Sequence, residues 1–442
     1  MSGDHQILAH GIGGAKDLPI SPALAIAGAV AALTISFTVL VLAWRDPRYD
    51  AATSGRPAPA RLAALVDSRA FALSLRALGM AVFVYAVWAA VLGEDLLINP
   101  FFGMVYVLLW VGLVPASLLL GPVLKACSPV RTINLGLARL TGSDPDRGLF
   151  PYPARLGYWP AAGGLFAFVW LELVYHQSTA LGPVRLWFAV YLAAMLLGGA
   201  LFGSGFYERA DPFEVYSSLV AKLSVWGRRD GALVVRSPLA NLDTVVVRPG
   251  LLGVVAVLFG STAFDSFKDS SVWVRFTQGH LDVAYLLNNV GLLGFCAGVW
   301  VIFAVGCMAT GVGPEQSRWQ LPNLFAHSLV PIIVGYIIAH YLSYLVEVGQ
   351  QTVILMSDPM SNGSNLLGTG DFAVNYWLSY HPTFLATTKV AAVVAGHVLG
   401  VIAAHDRAIK LLPARHQVTG QLPLLVAMVA FTVGGLYLLF AA

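Results

Sequence analysis

Apolar residues fall into ten long runs along the chain, separated by shorter polar stretches. Because a helix rises 1.5 Å per residue, about 20 apolar residues are enough to cross the hydrocarbon core of a bilayer. The pattern therefore predicts an all-α protein, a polytopic bundle of ten transmembrane helices. The sixth run is the weakest, because it is short and ends in charged residues. The predicted spans are approximately residues 22–44, 71–92, 100–121, 157–178, 186–206, 250–267, 283–308, 324–348, 384–404 and 421–441.

The basic residues indicate how these spans are oriented. With the N-terminus outside, 21 of the 26 lysines and arginines fall in loops on the inner side. Such an excess is typical of the cytoplasmic loops of membrane proteins. The sequence thus predicts a single integral membrane domain over residues 1–442, with both termini outside, in the plasma membrane. Residues 348–383 then form an outer loop, which contains no lysine or arginine.

Composition narrows the classes of function. Hydrophobic residues make up 57% and charged residues 11% of the chain, whereas an average soluble domain carries about 25% charged residues. The net charge of +3 is too small to attract the phosphate backbone of nucleic acid strongly. We therefore exclude nucleic acid as a partner. The expected partner is the lipid bilayer, and a membrane-protein partner subunit stays open. The three cysteines show no paired spacing, so we expect them to be small buried residues.

The inner loop at residues 207–249 is predicted to have local structure. Phe213, Tyr216 and Val220 recur at helical spacing with polar residues opposite, which predicts an amphipathic helix lying under the membrane. A continuation of the fifth span is the alternative. Residues 232–236 and 244–248 flank a turn rich in Pro, Asn and Asp, so we expect them to pair as a small hairpin.

Ionisable side chains inside the predicted spans are candidates for function, since each costs about 2.5–3.5 kcal/mol or more in the membrane. His340 lies in the outer half of the eighth span, and His397 lies near the middle of the ninth. At 100° per residue, Tyr336, His340 and Glu347 lie on one side of a helix. We therefore expect one polar stripe that runs toward the outer surface.

Small residues predict where spans approach one another closely. Gly396 and Gly400 flank His397 in the ninth span, four residues apart. Such spacing lets another helix pack against the backbone. Gly294 and Gly298 offer a matching smooth surface on the seventh span.

Acids and histidines gather on the predicted outer side, and neutral imidazoles and carboxylates are ligands for Zn, Mn, Fe or Cu. We therefore predict a divalent-metal site near the outer surface, built from Glu172, His176, His340 and His397, with Glu172 or Glu347 as ligand or catalytic base. The sequence has no HExxH, CxxC or His-x-His motif to support it. The alternative is a set of polar residues with separate hydrogen bonds at helix ends. We favour that alternative for Glu94, Asp95, His280, Asp282 and His381.

Haem is a second candidate cofactor. His327 and His340 are 13 residues apart, whereas His397 and His405 are 8 apart. These spacings correspond to about 20 Å and about 12 Å along a helix, so two stacked haems do not fit. A single haem between His340 and His397, or a copper site, would indicate an electron-transfer subunit.

A transporter is the remaining alternative, because helices broken near the membrane centre are typical of transporters. Pro115 interrupts the third span and Pro331 the eighth. Asn288 and Asn289 lie inside the seventh span. We find no internal repeat to strengthen this hypothesis.

Six stretches carry a resemblance to a known family. They are AHGIGGAKDLP (9–19), FPYPARLGYWPA (150–161), WLELVY (170–175), SLVPIIVGYIIAHYLSYLVEVGQ (328–350), NLLGTGDF (365–372) and GHVLGVIAAHDRA (396–408). Together they resemble a family of bacterial polytopic membrane proteins, frequent in actinobacteria, that is often labelled fenitrothion hydrolase-like. The resemblance spans nearly the whole chain and implies a membrane-bound hydrolase of organophosphate triesters. It assigns no catalytic residue. Because phosphotriester hydrolysis commonly uses a metal-bound hydroxide, the outer polar residues are compatible with a metal-dependent hydrolase.

Overall fold

The computed structural model describes residues 15–312, 316–413, 416–417 and 419–441. The expected outer position of the N-terminus, and the first part of the stretch at 9–19, fall outside the described residues. Within them the chain is helical with one small sheet, which agrees with the predicted all-α class.

In the described part of the chain, eight helical segments are long and apolar enough to cross a membrane, so this is a multi-pass membrane protein. A ninth crossing is a pair of helices bent by 44°. The fourth predicted run, residues 157–178, forms a shorter apolar helix of 15 residues. In chain order the ten segments are α1 (Pro22–Ala43), α3 (Arg69–Leu92), the bent pair Pro100–Val111 and α5 (Leu113–Leu120), α8 (Trp159–Leu173), α9 (Leu181–Phe202), α13 (Leu251–Lys268), α15 (Ala284–Met308), the segment Arg318–Leu355, α20 (Pro382–Leu411) and α21 (Leu422–Ala441).

Shorter helices connect or divide these segments. They are α2 (Ala60–Val66), α4 (Pro100–Phe102), α6 (Val123–Cys127), α7 (Pro129–Thr141), α10 (Tyr207–Ala210), α11 (Pro212–Val220), α12 (Pro238–Leu242), α14 (Ser271–Gln278), α16 (Leu321–Phe325), α17 (Val330–Ser343), α18 (Gly349–Leu355) and α19 (Trp377–Tyr380). Two stretches are π-helical, Gly103–Val111 and Tyr344–Val348. Single 3₁₀ turns lie at Ala15–Asp17, Ser204–Phe206, Ala221–Leu223, Arg318–Gln320, Ala326–Leu329 and Thr419–Gln421.

The third span is bent where the sequence contains Pro115. A proline inside a helix removes one backbone hydrogen bond and clashes with the carbonyl four residues earlier, which here is that of Val111. The preceding segment winds as a π-helix, and the amide of Gly112 donates to the carbonyl of Val107, five residues back, at 2.8 Å. The predicted interruption of this span is therefore confirmed. Pro331 lies in the first turn of α17, directly after a 3₁₀ turn.

Contacts between loops show that the chain alternates between the two ends of the bundle. The loop after α1 meets the end of α20, where the amide of Arg48 donates to Asp406 at 2.7 Å. At the same end, Arg131 lies in the connection between α5 and α8 and forms an ion pair with Glu214, which lies in the connection between α9 and α13. At the opposite end, the amide of Leu181 donates to Asp95 at 2.8 Å. We call the first the basic end, because it carries most of the lysines and arginines, and the second the acidic end.

The small sheet lies at the basic end and differs from the predicted hairpin. Strands β2 (Trp226–Arg229) and β3 (Ala232–Val235) form an antiparallel hairpin, and β1 (Arg56–Pro57) pairs with the other side of β3. The turn is Asp230–Gly231, with φ of 51° and 81°, and positive φ at both positions is typical of a type I′ turn. Residues 244–248 form no strand. The Asp-Gly pair was the turn signal in the sequence, rather than the Pro/Asn/Asp stretch that follows β3.

Helix α11 corresponds to the predicted amphipathic helix, but its position is different. Its polar residues Glu214 and Ser217 are as buried as Phe213 and Tyr216. Glu214 accepts two hydrogen bonds from Arg131, both at 2.6 Å. Ser217 is hydrogen-bonded to Ser117 on α5 at 2.8 Å. Because these partners satisfy the polar face, α11 packs inside the protein rather than under the membrane.

The core is built around α13 and α17. Of the crossing segments, α13 is the most completely buried, with 89% of its apolar window inside the protein. It packs against α8, α15 and α17, and α17 crosses α20 closely. At that crossing Gly335 faces the backbone of Ala392, and Gly396 faces that of Pro331. The predicted close approach at Gly396 is therefore confirmed, but its partner is the eighth span.

The matching surface that we expected on the seventh span is not used. A Cβ atom added at Gly294 or Gly298 would meet nothing within 4 Å. These two glycines face away from the neighbouring helices that the structure describes. Small residues at this spacing allow close packing but do not say which helix approaches.

Candidate functional site

The candidate site lies where α13 and α17 pack together near the acidic end. The last turn of α13 carries Asp265 and Ser266, and α17 carries Tyr336 and His340, one turn apart. All four side chains are buried. Intramembrane ionisable residues that face the inside of a bundle are candidates for function by default.

His340 is hydrogen-bonded at both ring nitrogens. Its Nε2 lies 2.9 Å from Oδ2 of Asp265, and its Nδ1 lies 3.0 Å from Oγ of Ser266. The hydroxyl of Tyr336 donates to the same serine oxygen at 2.9 Å. The four side chains therefore form one continuous hydrogen-bonded relay, which runs from Tyr336 through Ser266 and His340 to Asp265.

The carboxylate of Asp265 also contacts Tyr341 and Lys268. The Tyr341 hydroxyl donates to Oδ2 at 2.6 Å, and Nζ of Lys268 lies 3.3 Å from Oδ1. A buried carboxylate needs both hydrogen bonds and a counter-charge. Tyr341 supplies the first and Lys268, one turn along α13, supplies the second.

Ser266 has one hydroxyl hydrogen and two acceptors within reach. They are Nδ1 of His340 at 3.0 Å and the carbonyl of Thr262 at 3.3 Å. When His340 is neutral with its hydrogen on Nε2, the serine can donate to Nδ1. When His340 is doubly protonated, Nδ1 can donate to the serine and the serine to Thr262. Both protonation states of His340 are therefore fully hydrogen-bonded.

Glu172 lies near this relay, at the end of α8. Its Oε2 is buried and has no hydrogen-bond partner among the described residues. Its carboxyl interacts electrostatically with Asp265 and Lys268. The same carboxyl interacts with four tyrosines, Tyr106, Tyr216, Tyr341 and Tyr344.

The two π-helical stretches contact each other beside Glu172. Tyr106 belongs to the first stretch and Tyr344 to the second. π-Helical turns in otherwise α-helical segments occur frequently at functional sites. This coincidence supports a functional assignment for the region between Glu172 and Asp265.

Glu347 was predicted to lie on the same polar stripe as His340, but it contacts Ser379 instead. Its carboxylate accepts hydrogen bonds from the hydroxyl of Ser379 at 2.7 Å and from the amide of Ser379 at 3.0 Å. The π-helical turn at Tyr344–Val348 adds a residue to the helical repeat and breaks the predicted stripe. Glu347 thus anchors α19 to the membrane helix. The helix continues to Leu355, so the outer loop begins later than residue 348.

The other predicted ligands also lie apart from the relay. Helix α8 ends at Leu173, so Glu172 and His176 do not share a helical face. His176 is exposed and packs beside Tyr175, with ring centroids 4.7 Å apart. His397 is buried on α20, where its Nδ1 lies 2.8 Å from the carbonyl of Val393, and its Nε2 has no partner among the described residues.

The four predicted metal ligands do not form a common donor set. The described part of the chain contains no group of three or more His, Cys, Asp or Glu side chains arranged to hold a metal. His340 uses both nitrogens for hydrogen bonds. His405, a candidate in the haem hypothesis, likewise contacts Gln421 and the carbonyl of Trp44, both at 3.0 Å. These donors fit neither a shared metal site nor paired haem ligation.

The sequence pattern identified His340 and Tyr336 but did not predict which residues contact them. Asp265 and Lys268 were noted only as charged residues at the end of a weak span, with Asp265 among the acids of the predicted outer side, and Ser266 and Tyr341 were not singled out. One signal was present, because an acid, a serine and a lysine within four residues are unusual in an apolar run. The pairing itself depends on how α13 packs against α17, which no local pattern reveals.

Comparisons of the chain with models of protein families, with curated proteins and with solved structures gave no match.

Proposed function

We propose that this chain is a proton-translocating protein of the plasma membrane, with His340 and Asp265 as the groups that bind and release the proton. The observation that carries the proposal is the position of Ser266. Its hydroxyl can either donate to Nδ1 of His340 or accept from it, because Thr262 offers a second acceptor. A group that exchanges protons inside a membrane needs such a partner, since an unsatisfied buried donor costs about 1–3 kcal/mol.

Glu172 extends the proposed pathway away from the relay. It interacts electrostatically with Asp265, and a buried carboxylate oxygen without a partner is a natural acceptor for a proton. Chains of Asp, Glu and His residues are the usual proton relays of pumps and transporters. The bent third span and the π-helical turns are the kind of helix interruption that lines such pathways.

The test is proton flux into proteoliposomes. The full-length protein is reconstituted with a pH-sensitive dye inside, and a potassium diffusion potential drives proton entry. We expect Asp265→Asn and His340→Gln to lower the flux about 100-fold or more, because positioned proton-transfer groups commonly contribute that much. His176→Gln, at an exposed histidine, is the matched control and should leave the flux unchanged. Flux through Asp265→Asn equal to that of the unmodified protein would overturn the proposal, as would unmodified protein that conducts no better than empty liposomes.

A hydrolase is the second candidate, favoured by one specific observation. Ser266, His340 and Asp265 are hydrogen-bonded in the order of nucleophile, base and carboxylate. The resemblance to fenitrothion hydrolase-like membrane proteins also implies a hydrolase, with organophosphate triesters as substrates, although it assigns no catalytic residue. Against it, Ser266 is 1% exposed and its oxygen already accepts from Tyr336.

A fluorophosphonate probe separates the two candidates. A nucleophilic serine would be labelled covalently at Ser266, and Ser266→Ala would abolish both the labelling and the hydrolysis of an organophosphate triester. The proton relay predicts no labelling of Ser266, because no substrate reaches it. Ser261→Ala is the matched control, because Ser261 is a buried serine on the same helix whose hydroxyl donates to the carbonyl of Leu258.

A further inference from the structure

We infer that the protein binds an anionic phospholipid in a groove between α3 and α7 at the basic end. The groove has a volume of about 340 Å³ and is open to the surroundings of the protein. Its walls are both apolar and basic. Leu73, Met80 and Leu135 supply apolar surface, and Arg76 and Arg139 supply two positive charges.

The two arginines of the groove are not neutralised by the protein. Within the described residues, neither Arg76 nor Arg139 has a carboxylate or other hydrogen-bond partner. This distinguishes them from Arg131 on the same helix, whose guanidinium is held by Glu214. Two uncompensated guanidinium groups in one groove form a receptor for an anion, and phosphate is an anion that arginine binds with two parallel hydrogen bonds.

The outer face of α7 beside the groove carries large apolar side chains, as expected of a surface that contacts lipid. On α7, Leu137 is 49% exposed and Leu140 is 86% exposed, so the helix presents large apolar side chains outward. Arg76 lies two turns inside the membrane helix α3, at a depth from which an arginine can reach the interface. A ligand in this groove therefore places its anionic group on Arg76 and Arg139 and its apolar part along Leu73 and Leu135.

An anionic phospholipid has this combination of groups, and a free phosphate ion does not. Basic pockets between transmembrane helices at the cytoplasmic side are sites for anionic lipid headgroups. The groove lies at the end that carries most of the lysines and arginines. Its position is thus the one where the headgroups of the inner leaflet are expected.

Binding to the purified full-length protein in detergent tests the inference. Native mass spectrometry compares phosphatidylglycerol with phosphatidylcholine of the same acyl chains. We expect phosphatidylglycerol to bind at least about tenfold more tightly, as expected for two charge-assisted contacts. The double substitution Arg76→Gln, Arg139→Gln should remove this preference. Arg155→Gln, at an exposed arginine of the same end outside the groove, should keep it.

Two further arms make each outcome decisive. Arg139→Gln alone changes an exposed side chain, so it keeps the fold while removing one of the two charges, and it should lower the preference at least about threefold. Inorganic phosphate in excess should not displace phosphatidylglycerol, because the apolar walls also hold the lipid. A preference unchanged in the double variant would overturn the inference. Displacement by inorganic phosphate would overturn the lipid assignment and identify a phosphate site.

Discussion

At the scale of single residues, the buried charged and titratable groups at the two best-defined contacts have specific partners. His340 has Asp265 and Ser266, and Glu214 has Arg131. Glu172 differs, since one of its carboxylate oxygens is buried without a partner among the described residues, as is Nε2 of His397. A buried carboxylate oxygen without a partner needs an explanation, and the proposed proton pathway supplies one for Glu172.

The pair of Arg131 and Glu214 predicts a large effect on stability. Glu214 is fully buried, and its counter-charge is the guanidinium of Arg131, which donates two hydrogen bonds to it. Arg131→Gln should lower the free energy of unfolding by about 3–5 kcal/mol, because it leaves an uncompensated buried charge. Thermal unfolding in detergent measures the change. Arg147→Gln, which breaks the exposed pair with Asp144, is the control and should have no measurable effect. Equal effects of the two substitutions would contradict this account of Glu214.

Asp211 predicts a dependence of stability on pH. Burial, and then the charge of Glu214, raise its pKa from 3.8 to about 7. The folded chain therefore binds a proton more tightly than the unfolded chain, and stability falls as the pH rises from about 4 to about 7. Above about pH 7, the stabilisation that comes from the bound proton is fully lost.

Asp211→Asn checks this dependence, since asparagine can also cap the N-terminus of α11. Relative to the variant, the unmodified protein should lose stability across the window between about pH 4 and pH 7 and change no further at higher pH. Unfolding midpoints measured between pH 4 and pH 9 give the comparison. A difference that stays constant over the whole range would show that Asp211 does not titrate as described.

At the scale of elements, the hydrophobic pattern predicted where the apolar helices lie, because the length of an apolar run is set by the thickness of the bilayer. Of the ten predicted spans, within the described residues, eight correspond to helical segments long enough to cross a membrane, one is a bent pair of helices and one is a helix of 15 residues. What it could not predict is how the helical repeat is interrupted. The π-helical turn at Tyr344–Val348 moves Glu347 off the face of His340. The buried position of α11 also depends on partners more than 80 residues away in sequence, such as Arg131. Neither feature leaves a local pattern that distinguishes it.

Because α17 and α20 cross closely, we expect stability to be sensitive to substitution of one glycine, Gly335. A Cβ atom on Gly335 would collide with the carbonyl oxygen of Ala392, which is backbone and cannot move aside. Gly335→Ala should therefore destabilise the protein by about 1–3 kcal/mol through overpacking. Gly294→Ala, on a helix face with open space, is the control and should be neutral or slightly stabilising. Thermal unfolding of the two variants side by side makes the comparison, and equal midpoints would rule out the close crossing.

At the scale of the whole molecule, the distribution of charge gives the bundle two different ends. The predicted orientation places the basic end inside and the acidic end outside. The structure supports the alternation of loops through contacts such as Arg48 with Asp406 and Leu181 with Asp95. The candidate site lies near the acidic end, where His340 was predicted. Its partner residues required the packing of α13 against α17, which sequence spacing alone could not supply.

Labelling in intact cells tests the orientation. In a Cys127→Ser background, a cysteine is placed at Ser361 in the loop of the acidic end or at Asp230 in the hairpin of the basic end. A membrane-impermeant maleimide should label Ser361→Cys in intact cells, and Asp230→Cys only after the cells are opened. The reverse pattern would invert the predicted topology.

The central claim is that His340 takes up and releases a proton while its hydrogen bonds to Ser266 and Asp265 remain. Solid-state NMR of the protein with ¹⁵N-labelled histidine measures this directly, with His340→Gln used to assign the signals. We expect two forms of the His340 ring, one in which both nitrogens carry a proton and one in which only Nε2 carries a proton. A ring that shows only one of these forms in protein that translocates protons would contradict the claim.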